Sequence, residues 1–433
     1  MIMQLCWLSL YMTMVIGTPE PDLAEYMERV EPTFSWQQID HIQHDNGQIY
    51  NLSLVSQTWK KIQWEHNLQV FVPKSVHYPD TMLLLVSGGS TDSQPSDKDN
   101  EMGLKLAQMT GSAFAILHQV PNQPLYDGRK EDDLIAHTFE KYLETKDSSW
   151  LLLFPMVKSA AQAMTALTQF TEQELKGKIE KFVITGASKR GWTSWLTAAV
   201  DPRIKASIPL VIDVLNMPAQ MEYQKATWGQ YSEQINDYTV RGLQEKLEEE
   251  EGKSLSALVD PYSYRSLLTM PKLSVIGTND PYWVLDALNL YWDDLAQPNF
   301  VLYVPNSGHG LDDRERTFAG ITGFYRYIAS DQPLPKLEWS HRQDDDSLHL
   351  QFSADQKPAQ TRLWVTASPK RDFRSASWVA VPIQEKGGGE FSGQVEIHQQ
   401  QYVALFGEYV FMVDGQPCPL STQINIGSTA QKK

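Results

Sequence analysis

A serine between glycines stands at the end of one apolar run of this chain, and an aspartate and a histidine stand at the ends of two later ones. Ser188 lies in Gly186-Ala187-Ser188-Lys189-Arg190-Gly191, after the strand-like Phe182 to Thr185 and before the helix-like Trp192 to Val200. Asp280 closes Gly277-Thr278-Asn279-Asp280 after Leu273 to Ile276, and His309 sits in Pro305-Asn306-Ser307-Gly308-His309-Gly310 after Phe300 to Val304. A hydroxyl is a poor nucleophile at neutral pH. An imidazole must take its proton, and a carboxylate must fix the imidazole tautomer and stabilise the imidazolium. These three residue types, in this order at successive strand ends, point to acyl transfer through an acyl-enzyme at Ser188.

Strand, sharp turn and helix are the context of a nucleophile elbow, but its usual second glycine falls two residues after the serine. Here Arg190 occupies that place and Gly191 follows, so the segment taken alone reads equally well as a helix N-cap. The partners decide for the catalytic reading. A rival acid exists in Asp213, at the end of the preceding strand, with capping or hydrogen bonding in the insertion that follows as its alternative role. For the oxyanion, the expected donors are the backbone N–H of Lys189 and one from Gly88 or Gly89, in the glycine-containing Ser87-Gly88-Gly89-Ser90 after the first apolar strand. The side chains of Lys189 and Arg190 either meet an anionic substrate group or pair with Glu or Asp of the cap. Trp283, beside the acid, is a candidate pocket wall; Trp192 and Trp195 read as core. The ten histidines show no His-Glu-x-x-His spacing, and neither Cys-x-x-Cys nor Gly-x-Gly-x-x-Gly occurs, so no metal and no cofactor is expected.

The elements that must position these residues are legible in the hydrophobic pattern. Gln48 to Val55 and Ile62 to Val72 read as leading antiparallel strands. Short continuous apolar runs then alternate with helical stripes: Met82 to Val86, Ala113 to Leu117, Phe182 to Thr185, Ala206 to Ile212, Leu273 to Ile276 and Phe300 to Val304. Strands apolar on both faces, separated by amphipathic helices such as Glu131 to Glu144 and Val157 to Phe170, predict a doubly wound, mostly parallel α/β sheet. With the Ser, Asp, His order, that is the α/β-hydrolase fold. The rhythm breaks between about 213 and 270, where an inserted cap is expected, its acidic run Glu248 to Glu251 being a solvated helix face. After Pro333 and Pro335 short alternating strands suggest a small β-sandwich over 335–433, which leaves 18–332 for the hydrolase domain.

Composition fits this picture. With 42% hydrophobic and 21% charged residues over 433 positions, the chain has the makeup of a globular protein with a large core. A net charge of -16 argues against nucleic acid as a partner. Residues 1–17 form an apolar run that reads as a signal peptide, although no basic residue precedes it, and the expected location is exported, periplasmic or extracellular. No other apolar stretch is long enough to span a bilayer, so no stable membrane insertion is expected after cleavage. Of the two cysteines, Cys6 would leave with the peptide, and Cys418 would then have no intrachain partner.

Several segments together resemble the PhoPQ-activated pathogenicity-related protein family. They include Glu131 to Ala136, Phe154 to Ala160, Gly186 to Thr193, Asp201 to Arg203, Val211 to Asn216, Asp260 to Arg265 and Val304 to His309. The resemblance implies an α/β-hydrolase core, export from a bacterial cell and a link to virulence in some members, with Ser188, Asp280 and His309 at the triad positions. It implies no settled substrate: a small molecule, a glycan ester or a peptide all remain. The elbow is also similar to that of glucuronoyl-type carbohydrate esterases, in which case Lys189 or Arg190 would meet a uronate. Peptidase action, or a signalling or binding role on a hydrolase scaffold without chemistry, are the alternatives.

Overall fold

The structure, a computed structural model, describes residues 22–175, 177–398 and 401–429. The segment read as a signal peptide, with Cys6, lies outside the described residues.

Eighteen strands and ten α-helices are described. The leading strands β1 (Ser35–His44), β2 (Gly47–Trp59) and β3 (Ile62–Pro73) are antiparallel, and β3 runs antiparallel to β5. The core strands β4 (Thr81–Val86), β5 (Phe114–Leu117), β6 (Lys181–Ala187), β7 (Ile204–Leu210), β8 (Lys272–Gly277) and β9 (Asn299–Val304) are parallel in the order β5-β4-β6-β7-β8-β9. This is the α/β-hydrolase fold that the pattern of apolar runs predicts. Side chains of the buried strands alternate between two apolar clusters. Met82 and Leu84 face one and Leu83 the other; Phe182 and Ile184 face one and Val183 the other. Two buried faces require two helix layers.

After α1 (Asp22–Glu28), the helices are α2 (Asp97–Thr110), α3 (Glu131–Thr145), α4 (Leu153–Glu174) and α5 (Lys189–Val200). Between β7 and β8 come α6 (Met217–Trp228), α7 (Asn236–Thr239), α8 (Leu243–Lys246) and α9 (Glu250–Val259), and α10 (Arg314–Ala329) follows β9. Helices α4 and α5 contribute to one apolar cluster, α2 and α10 to the other. Helices α6 to α9 are the expected cap. Its two ends are tied by the buried Asp260, which accepts from the backbone N–H groups of Asn216 (3.2 Å), Met217 (2.7 Å) and Tyr262 (2.9 Å). Glu248 to Glu251 are exposed, and Glu250 and Glu251 stand in the first turn of α9, where negative charge suits the helix dipole.

The C-terminal strands are β10 (Leu337–Gln343), β11 (Ser347–Ala354), β12 (Gln360–Ser368), β13 (Val379–Val381), β14 (Gln384–Gly387), β15 (Glu390–Glu396), β16 (Tyr402–Val413), β17 (Gln416–Ser421) and β18 (Asn425–Ser428). They form two layers, as a sandwich should, with Phe352 of one layer against Tyr409 of the other, ring centroids 5.2 Å apart. One layer is not separate, however. Strand β17 pairs with the edge strand β9, so the order β9-β17-β16-β12-β13 extends the central sheet, and only β10-β11-β15-β14 stands apart. Pairing satisfies an edge that would otherwise be open.

Candidate active site

The elbow explains its own departure from the usual spacing. Ser188 has φ 56° and ψ -126°, a strained conformation for a residue with a side chain, held by its N–H donating to the Leu210 carbonyl at 2.8 Å. Strand β6 and helix α5 meet so closely there that a Cβ on Gly186 would lie 2.6 Å from the Arg190 carbonyl oxygen. On Gly191 it would lie 2.8 Å from the Gly186 oxygen and 2.6 Å from Ile212 Cγ2. The close approach falls three residues after the serine, which frees position 190 for a long side chain.

Asp280 and His309 are brought together. His309 Nδ1 and Asp280 Oδ2 are 2.8 Å apart, and Asp280 Oδ1 accepts from the Tyr282 N–H at 2.9 Å. The carboxylate is almost fully buried and both oxygens are engaged, so the imidazole is oriented with Nδ1 toward the acid and Nε2 away from it. Nε2 has no partner among the described residues, and no hydrogen bond joins it to Ser188. The Tyr282 ring stacks on the imidazole at 4.1 Å. The loops after β8 and β9 interlock: Asn279 N–H donates to the Ser307 carbonyl, and Gly277 must lack a Cβ because it would fall 2.4 Å from the Gly308 oxygen.

A third segment, residues 369–378 between β12 and β13, reaches back to these loops. Asn279 Nδ2 donates to the carbonyls of Phe373 (3.1 Å), Arg374 (3.3 Å) and Ala376 (2.7 Å). Asn306 donates through Nδ2 to the Trp378 carbonyl and accepts from its N–H. Arg371 pairs with Asp286, and Arg374 reaches Glu233 and lies over the Trp228 ring. Nothing in the spacing of this segment marks it in the sequence.

The basic pair after the serine is taken up by carboxylates. Arg190 is buried; its two Nη atoms donate to Glu131 at 2.6 and 2.7 Å and its Nε to the Val120 carbonyl at 2.6 Å. Lys189 Nζ lies 3.0 Å from Glu131 and 3.2 Å from Asp132. Burial alone would raise the Glu131 pKa, but the bonds and charge of Arg190, with Lys189 and Gln123, hold this carboxyl far below the ordinary range. Of the two alternatives for Arg190, pairing with a carboxylate is the one found, but the carboxylate belongs to α3 and not to the cap. Its guanidinium also accounts for Gly88, where a Cβ would fall 2.5 Å from Arg190 Nη2.

Ser188, Lys189 and His309 line one cavity between the strand ends and the cap, about 740 Å³ with its open mouth. Trp283 lines it, and so does Trp192, which is at the same time buried in the core cluster, as the sequence suggested; its Nε1 donates to the Val259 carbonyl. Gly88, Gly89 and the rival acid Asp213 are not among the residues that line the cavity. Asp213 is buried, with no close hydrogen bond to either oxygen among the described residues. Burial raises its pKa to about 7, the Tyr291 hydroxyl opposing and the charges of Asp280 and Asp286 adding. The wall residues that sequence reasoning missed, Asp132, Tyr238, Met221 and Gln244 among them, come from α3 and the cap. Tyr238 donates to Asp132 at 3.1 Å, and Gln244 donates to Thr239 at 3.0 Å.

The family model described as PhoPQ-activated pathogenicity-related protein matches residues 23–374, most of the chain and every residue placed around this cavity. The chain belongs to this family. Over 384 residues it is 33% identical to autocrine proliferation repressor protein A of Dictyostelium discoideum, covering 83% of this chain and 76% of that one. Among solved structures, this member of the PhoPQ-activated pathogenicity-related family is similar to an acetyl xylan esterase from Paenibacillus sp. R4, with TM-score 0.48 and 18% identity, covering 71% of this chain and 96% of that one. It is also similar to an S-formylglutathione hydrolase from Agrobacterium tumefaciens, with TM-score 0.45 and 15% identity, over 68% and 99% of the two chains.

Proposed function

We propose that the chain is a serine hydrolase that cleaves an ester or amide through an acyl-enzyme on Ser188. The observation that carries this reading is the His309–Asp280 pair, whose imidazole keeps Nε2 without a hydrogen-bond partner among the described residues and lines the same cavity that Ser188 lines from a strained elbow. Ser188 Oγ attacks the carbonyl carbon while His309 Nε2 takes its proton, and Asp280 stabilises the imidazolium. The N–H of Lys189 belongs to the first turn of α5, where no intrahelical partner exists, and it donates to the oxyanion with the helix dipole behind it. A second donor would come from the loop at Gly88 and Gly89, which borders the elbow through the Arg190 side chain. Collapse of the tetrahedral adduct expels the alcohol or amine, which carries off the proton from His309. Water, deprotonated by the same nitrogen, then releases the acid.

Labelling by a fluorophosphonate probe tests this reading. The folded wild type should be labelled and Ser188→Ala should not; labelling that survives the substitution would move the nucleophile elsewhere. A second reading, an extracellular signal on the same scaffold, is favoured only by the name of the Dictyostelium relative. On that reading Ser188→Ala would keep full effect on the growth of the producing cells.

A further inference from the structure

The cavity that Ser188 lines carries information about the acyl group, on the understanding that the hydrolase reading above holds. Its wall is built by aliphatic and aromatic side chains from several parts of the fold. Phe139 comes from α3, Ile212 from the end of β7, and Met221, Leu243, Leu247 and Leu255 from the cap. Its charged lining residues other than His309 are Lys189 and Asp132, and these neutralise one another at 3.2 Å. Lys189 is further held by Glu131, and the remaining acceptor of Asp132 takes the Tyr238 hydroxyl. The neighbouring guanidinium of Arg190 is likewise spent on Glu131.

We infer that the site takes a bulky, uncharged, apolar acyl group, lodged under the cap, and discriminates against acyl groups that end in a carboxylate. Two consequences of elementary energetics lead there. An anionic group entering this space would lose its hydration and find each nearby cation already paired, a cost of burial without a compensating partner. An alkyl or aryl group instead gains hydrophobic transfer energy for each methylene that meets the wall, roughly fourfold in kcat/KM per methylene at about 0.8 kcal/mol. The uronate suggested by the basic pair of the elbow is thereby disfavoured.

The test is a series of p-nitrophenyl esters, acetate through octanoate, with an added ester of octanoate length that ends in a carboxylate. Expected is a rise in kcat/KM from acetate to octanoate of at least about a hundredfold, short of the ideal total, and a comparable fall for the carboxylate-ended ester. An optimum at acetate, or a preference for the anionic ester, overturns the inference. Leu247→Trp, which fills part of the wall, should lower the octanoate-to-acetate ratio about tenfold. An unchanged ratio in a variant with native circular dichroism overturns it too. The same preparations are labelled with alkyl fluorophosphonates. Ser188 labelling that does not respond to chain length removes the substrate claim and leaves the hydrolase standing, whereas no labelling of folded wild type removes both.

Discussion

At the scale of single residues, two aspartates stand near the site and differ in what surrounds them. Asp280 has both oxygens in close hydrogen bonds, one with His309 and one with the Tyr282 amide, whereas Asp213 has no close hydrogen bond among the described residues. On the proposed mechanism Asp280→Asn should lower kcat by about 10⁴, the cost of the wrong imidazole tautomer, while Asp213→Asn leaves it within about tenfold. Steady-state kinetics on a chromogenic ester decides this, and the reverse order would make Asp213 the acid. Asp213 has its own signature in stability. An unfolded aspartate titrates near 3.9, and in the fold this one is raised to about 7. Between about pH 4 and 7 the unfolded chain has lost a proton that the folded chain keeps, so stability from this group falls across that window and stays low above it. Asp213→Asn is neutral at every pH. Its Tm relative to wild type should therefore climb from pH 4 to pH 8, by an amount reflecting a few kcal/mol, and a pH-independent difference would contradict the assignment. Asp260, also raised to about 7, is present in both proteins and cancels.

At the scale of elements, the strands and their ends were the readable part. Continuous apolar runs can only be buried on both faces, so β4 to β9 and the residues after β6, β8 and β9 follow from the pattern. The place of the cap was readable but its internal helices were not, since α7 and α8 are four residues each, too short to display a helical period. Long-range pairings resisted for another reason. Arg190 and Glu131 are 59 positions apart, and nothing local marks their meeting, so the sequence left open whether the cation beside the serine meets substrate or a carboxylate, and did not point to α3 as the source. The same guanidinium also leaves no space for a side chain at Gly88, a constraint on that glycine that nothing local marks either. The least legible element is the segment 369–378, whose hold on Asn279 and Asn306 fixes the two loops that carry the acid and the histidine. Asn306→Ala removes both bonds to Trp378, and the expected loss is about tenfold in kcat with KM little changed, since a misplacement well under 1 Å at the histidine costs that much. Wild-type kcat in a variant with native circular dichroism would reduce this segment to packing. Gly191→Ala is the corresponding probe of the elbow. A methyl group 2.8 Å from the Gly186 oxygen cannot be accommodated without moving strand or helix, and thermal denaturation should show a loss of about 1–3 kcal/mol.

At the scale of the whole molecule, the prolines after α10 suggest a boundary that the hydrogen bonds do not respect. Strand β17 joins the exposed edge of β9, and α10 packs over β17, so that a Cβ on Gly323 would strike Cys418 at 2.6 Å. The buried carboxylate of Glu408 on β16 is shared between Arg316 of α10 and Arg362 of β12, an arrangement in which removing either side leaves a charge without its partner. The segment 369–378 adds bonds to the cap and to the loops that carry Asp280 and His309. Units joined through a sheet edge, a helix face and a buried ion pair should not unfold independently, because opening the first exposes apolar surface and unpaired strand edge on the second. Calorimetry of the full chain should accordingly give one transition whose van't Hoff and calorimetric enthalpies agree, and a chain ending at 332 should be insoluble or lack cooperative melting. Two resolved transitions, with the truncated chain reproducing one of them and retaining Ser188 labelling, would show instead that the C-terminal strands are an independent domain docked on a self-sufficient hydrolase.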